Sequence, residues 1–204
     1  MKPARLLLFA IAMLGAGLRA ADAADSRYPD WPCVQAKVPD LSIAAMWDGP
    51  SIEQAQKVWQ DDPTIKNIVA RLAARRTPIE EAQKSIEDFL AGAASKADKG
   101  LLLFAGLFET LNRQRTEVMA GLERLQRRQR ELVDNIKADV SAQHELQDKS
   151  QPDQAKIDEL ATRIEWSTRI FDDRRKSVRY ACEVPVIIER RLFALARTIR
   201  QQMD

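Results

Sequence analysis

LLLFAGLFETLNRQRTEVMAGLERLQRRQRELVDNIKADVSAQHELQ, residues 101–147, repeats apolar side chains at alternating steps of four and three. From Phe104 the steps fall on Phe108, Leu111, Val118, Leu122, Leu125, Leu132, Ile136 and Leu146, with Arg115, Gln129, Asp139 and Gln143 interrupting. This is a heptad seam. The polar, proline-containing DKSQPD at residues 148–153 then marks a turn. From Ile157 the stepping runs back through Leu160, Ile164, Ser167, Phe171, Arg174, Val178, Ala181, Pro185, Ile188, Leu192, Leu195 and Ile199. The seam predicts an all-α fold built on a long antiparallel coiled-coil helical hairpin, with arms at about residues 101–147 and 153–203. Counting from the turn pairs residues whose numbers total about 300, Leu122 beside Val178 and Ile136 beside Ile164. Pro185 removes a backbone donor from the return arm, so a kink or break is expected there, opposite Arg115.

The ends of both arms, Leu101–Phe108 and Val186–Ile199, carry more apolar surface than a two-helix seam can hide. Three short helices in residues 51–100 are expected to cover it. Ser51 with Gln54 reads as a capping box, Asp62-Pro63 as a cap with proline at the first helical position, and Thr77-Pro78-Ile79-Glu80 as both devices together. Gly92 and the small, polar run to Gly100 end the third helix or bend it into the hairpin. A multi-helix base from residues 51–110 and 180–203 follows, with the hairpin tip, about 115–178, projecting from it. Residues 24–50, with Pro29, Pro32, Pro39 and Pro50 among Trp31, Val34, Val38 and Trp47, read as an extended strap laid on a helical surface.

The chain has 204 residues, 30% of them charged and only 6% aromatic, which suits a helical, elongated protein. Residues 1–23 join Lys2 and Arg5 to an apolar run from Leu6 to Leu18 and to small residues at Ala21-Asp22-Ala23. The run falls short of the ~20 residues that span a bilayer, so this reads as a cleaved secretory signal peptide and places the mature chain in the periplasm. Cleavage would remove three basic side chains and one acidic, taking 32 and 30 to 29 and 29. A neutral exported chain is not expected to bind nucleic acid. No transmembrane span is expected after processing. Export also leaves Cys33 and Cys182 as the only thiols in an oxidising compartment, which predicts a disulfide pinning the strap across the return arm.

No cofactor, metal centre or catalytic group is expected. His144 stands alone near the turn, the serines lack nucleophile-elbow glycines, and no phosphate-binding glycine loop occurs. The candidate partner-binding residues are Arg124, Arg127, Arg128 and Arg130 on the outward arm, level with Arg174, Arg175, Lys176 and Arg179 on the return arm. These eight cations face four acids, Glu123, Glu131, Asp172 and Asp173. They read either as a salt-bridged, solvated face or as a docking band for an acidic partner. In architecture alone the hairpin resembles the shafts of periplasmic adaptor proteins and the tentacles of small trimeric periplasmic chaperones. It lacks the β-rich segment that flanks the hairpin in the first, and its long N-terminal helical block is foreign to the second.

The expected function is therefore protein–protein binding, as a scaffold, adaptor or accessory subunit for another envelope protein, and not enzymatic catalysis. A holdase chaperone is one alternative. A ligand-binding protein or enzyme with a pocket at Trp31, Trp47 or Trp59 is another. Contact with an anionic envelope surface and homo-oligomerisation stay open.

Overall fold

A helix end leaves backbone groups without partners, and the residues that satisfy them decide where helices start. The computed structural model of the chain describes residues 26–204, and every regular element in that range is helical. These elements are α1 (Ile43–Met46), α2 (Glu53–Val58) with a 3-10 turn at Trp59–Asp61, α3 (Pro63–Ala73), α4 (Ile79–Ala91), α5 (Lys96–Gln147), α6 (Gln154–Ala181) and α7 (Val184–Met203). The expected signal peptide, residues 1–23, lies outside the described residues. Asp62 caps α3 as anticipated, accepting from the amides of Thr64 (2.8 Å) and Ile65 (3.2 Å), with Pro63 next in line.

The other two capping boxes do not form. Helix α2 begins after Ile52, and Ser51 Oγ receives only a long 3.4 Å bond from Glu53 N. The Thr77 hydroxyl instead donates backward to the Arg71 carbonyl at 3.2 Å, leaving Pro78 as the uncapped start of α4. A buried arginine stiffens this corner from outside. Arg191 donates from Nε to the Leu72 carbonyl (2.8 Å) and from Nη1 to the Thr77 carbonyl (2.9 Å). Arg191 thus ties the carbonyl end of α3 and the turn before α4 to α7, and as a donor it leaves the first amides of α4 uncapped.

The hairpin is longer at one end and broken at the other. Its first arm starts at Lys96 and not at residue 101, because Ser95 Oγ accepts from Asp98 N at 3.2 Å and the small residues up to Gly100 continue the helix. Gly100 lies against Met203, where a Cβ would stand 2.6 Å from Met203 Cγ. Helix α5, 52 residues, is roughly 78 Å long at ~1.5 Å per residue. The return arm is two helices. The break falls at Cys182 and Glu183, and Pro185 sits in the first turn of α7, where its missing N–H leaves no bond unmade.

The register follows the expected count along the shaft. Gln129 Nε2 donates to the Phe171 carbonyl (3.1 Å) and Gln143 Nε2 to the Ile157 carbonyl (3.3 Å), both pairs totalling 300. Arg163 and Asp139 close a two-bond ion pair between the arms, Nε–Oδ2 2.7 Å and Nη2–Oδ1 2.5 Å. Near the tip the seam is thin. Ile157 and Leu160 are buried, while Ile136, Leu146 and Ile164 are only half-buried. Truncating Leu160 to alanine should accordingly cost about 2 kcal/mol, the low end for a buried leucine, because a two-helix seam can close over the gap. Urea unfolding at fixed m-value measures it, and a loss above about 4 kcal/mol would mean a more rigid tip than this seam allows.

At the base the seam widens into a core. Phe104, Leu107, Leu111, Ile188, Leu192 and Leu195 are wholly inaccessible, with α3 laid on α5 and α4 on α7. Gly106 is what lets the 3-10 turn and α3 approach α5. A Cβ there would stand 2.8 Å from both Trp59 Cε3 and Val69 Cγ2. The tryptophans serve this core. Trp47 stacks on Phe104 at 4.2 Å between ring centroids, and Trp59 Nε1 donates to Glu109 at 2.7 Å. The expected strap is irregular over residues 26–42, turning at residues 26–30 and bending at 33–35 where an extended run was expected, and gains one helical turn, α1, before Trp47.

Candidate functional site

Four prolines deny the strap a regular ladder, so its backbone needs side-chain partners, and α5 supplies them. Arg115 donates from Nη2 to the Val38 carbonyl (2.5 Å) and from Nη1 to the Pro39 carbonyl (3.1 Å), while its Nε reaches Glu189 of α7 at 2.5 Å. Further along the shaft Lys37 pairs with Glu123 at 2.5 Å and sits 4.6 Å from the centre of the Tyr28 ring. Beyond that, Arg127 holds Asp30 at 2.7 Å, and Arg130 binds the same carboxylate and the Pro29 carbonyl (3.0 Å). The strap therefore runs antiparallel to α5, from Pro29 at mid-shaft to Pro39 at the base. Seam position Arg115 is charged because it ties strap, outward arm and return arm together.

The disulfide lies between these anchors. Cys33 is bonded to Cys182, with Cα atoms 5.6 Å apart, and Gln35 Nε2 donates to the Cys182 carbonyl. The bond joins the strap to the return arm where α6 ends. Not every apolar strap residue finds cover. Val34 and Val38 stay largely exposed, against the expectation that they would be buried.

Beside the disulfide is a groove of about 760 Å³ between strap, α5 and α6. It opens where the seam carries Gln129, flanked by Gln126 and Arg175, instead of aliphatic side chains that would interlock. Val133, Phe171, Val178, Pro32 and the disulfide form its apolar lining, and Arg130, Lys137, Arg175 and Arg179 its cationic one, with Asp134 and Glu183 as the acids. Gln129 is buried, and its Oε1 has no donor. Sequence reasoning passed over Gln126, Val133 and Lys137. The signal was a polar pair one turn apart, the seam interruption Gln129 and Gln126 beside the seam.

The eight band cations do not form one face. Arg130, Arg175 and Arg179 line the groove, and Arg127 joins Arg130 on Asp30. Arg124 and Arg128, one turn apart, are rotated by roughly 60–100° from Arg127 on α5. Arg174 is exposed although its heptad position should be on the seam, and Lys176 pairs with Asp173 at 3.5 Å. Arg175 meets Asp172 at a loose 3.6 Å. Among the described residues Arg124, Arg128, Arg174 and Arg179 have no ion-pair partner. No tryptophan lines this groove. Trp47 and Trp59 are core residues, and Trp31, half-buried, donates to the Gln35 carbonyl at 2.7 Å.

Hydrogen bonds from Arg127 and then Arg130 hold the Asp30 carboxyl below the ordinary carboxylate value. The stabilisation is thus fully present above the pKa of the unfolded chain and is lost as pH falls through the lower folded value. Acid should therefore release the mid-shaft end of the strap only below the usual carboxylate range. Carboxyl NMR titration of Asp30 checks this, and Asp30→Asn should remove that step from a Trp31 fluorescence titration. A midpoint at or above that of an exposed aspartate would contradict it.

No described helix is long and apolar enough to cross a membrane. Comparisons with protein-family models, with curated proteins and with solved structures give no match to this chain.

Proposed function

We propose that the chain is an exported, periplasmic protein that works by binding, as an adaptor, scaffold or accessory subunit that presents its shaft to another envelope protein. The observation that carries this reading is the division of labour among the shaft cations. Arg115, Arg127 and Arg130 grip a segment of the same chain through its backbone carbonyls and the single Asp30 carboxylate, while Arg124, Arg128, Arg174 and Arg179 stand without acids. Exposed guanidinium groups with no internal partner suit carboxylates supplied from outside. The Cys33–Cys182 bond supports an oxidising compartment.

Co-purification of the tagged protein from the cell envelope tests the proposal. One partner should be enriched reproducibly and released by salt. Replacing Arg124, Arg128 and Arg174 together with glutamine should deplete that partner while barely moving the melting temperature, since exposed charges contribute ~0–1 kcal/mol each. A holdase would behave differently, suppressing aggregation of unrelated denatured proteins and enriching no single partner. That outcome, or a partner unaffected by the triple substitution, would overturn the adaptor reading.

A further inference from the structure

The strap shows how this shaft recognises peptide. Arginines on α5 take the carbonyls of Pro29, Val38 and Pro39 and the carboxylate of Asp30, so an irregular, proline-containing segment lies along the helix without making a ladder. The groove beside it repeats the same chemistry with no occupant from the described chain. Its apolar lining of Val133, Phe171 and Val178 suits aliphatic side chains. Around that lining stand the amides of Gln126 and Gln129, the latter with an acceptor that lacks a donor, and Arg179, which has no acid. Arg175 and Lys137 hold their own acids only at 3.6 Å, contacts weak enough to be exchanged.

We propose that this groove is a peptide-binding site for an extended acidic segment of a partner protein, one that alternates carboxylate and aliphatic side chains. It rests on the adaptor reading and names the chemistry of the partner. Alternation follows from the geometry of an extended chain, in which successive side chains point to opposite sides. Aliphatic groups would enter the apolar lining, carboxylates would reach Arg175, Arg179 and Lys137, and peptide N–H groups would face the glutamine amides. Lone anions would find no use for the lining, and apolar chains none for the cations.

The test uses the disulfide-bonded mature chain and a fluorescein-labelled hexapeptide alternating aspartate and leucine, read by polarisation. Saturable binding is expected, at least tenfold weaker with asparagine in place of aspartate and absent with lysine. Arg175→Glu with Arg179→Glu, both exposed positions, should weaken it at least tenfold without changing the far-ultraviolet spectrum. Val178→Trp, which fills the groove, should do the same from the apolar side. Equal binding of all three peptides, or no loss on charge reversal, would overturn the proposal. So would sodium laurate binding with the same sensitivity to charge reversal while the aspartate peptide fails to displace it, because the groove would then be an amphiphile site. The two readings fail separately. A partner that co-purifies undiminished with the charge-reversed protein removes the groove and leaves the adaptor. Peptide binding without any co-purifying partner does the reverse.

Discussion

Substituting Arg115 with alanine should lower the unfolding free energy by about 3 kcal/mol, more than any exposed arginine of the shaft. The Arg115 side chain is only 2% exposed, and it serves three elements at once, Glu189 of α7 and the Val38 and Pro39 carbonyls of the strap. Removing one member of a buried pair costs ~3–5 kcal/mol, chiefly because the other charge stays behind unpaired. Here the other charge has partial access to water, Glu189 being 29% exposed, which pulls the expectation toward the lower figure. Arg115→Met with Glu189→Leu should restore much of the loss, since no uncompensated charge then remains and the strap carbonyls lie at an exposed edge where water can take them. Denaturant unfolding of the single and double variants measures both. A single-variant loss below about 1 kcal/mol would place Arg115 among the weak surface pairs.

Replacing both cysteines with serine should cost about 2–4 kcal/mol, and the unfolded state is the main reason. Residues 33 and 182 are 149 apart in sequence, so the bond closes a loop of most of the described chain and removes a large share of the unfolded conformations. The native state should change little in outline, because α5 and α7 meet in a core that does not involve either cysteine. Locally the effect is larger. Between Asp30 on Arg127 and Val38 on Arg115, the strap would retain only side-chain contacts such as Lys37 with Glu123 and no regular backbone bonding, so its amides should exchange with solvent much sooner than those of α5. Unfolding of the disulfide-bonded and serine forms, with amide exchange of residues 29–39, tests both parts. An unchanged midpoint with unchanged strap protection would show that the polar anchors suffice without the bond.

The antiparallel hairpin and its register were legible because a heptad seam is a local, repeated signal. Nine of thirteen consecutive seam positions from Phe104 to Leu146 are apolar, and one proline-containing break reverses the chain. The Asp62-Pro63 start was legible for the same reason, since its donors lie two and three residues away. The failed caps at Ser51 and Thr77 had an equally good local pattern, but there competing contacts won. Thr77 turned back to Arg71, and Arg191, far along the chain, took over the backbone carbonyls at that corner.

Sequence by itself determined the helical class, the turn near residue 150, the pairing of Cys33 with Cys182 and the division into a wide base and a narrow shaft, because each depends on periodicity, on a turn-forming run, on elimination or on the density of apolar residues. Only the tertiary structure decided which cations are occupied. Arg127 and Arg128 are indistinguishable neighbours in the sequence, yet ~100° of helix rotation gives one to Asp30 and leaves the other in solvent. It also decided that Arg115 is buried, that Trp47 and Trp59 belong to the core, and that a groove opens at Gln126 and Gln129. Each of these depends on where an irregular strap comes to rest against a helix about a hundred residues away, a placement that arises from long-range contacts and leaves no period in the chain to read.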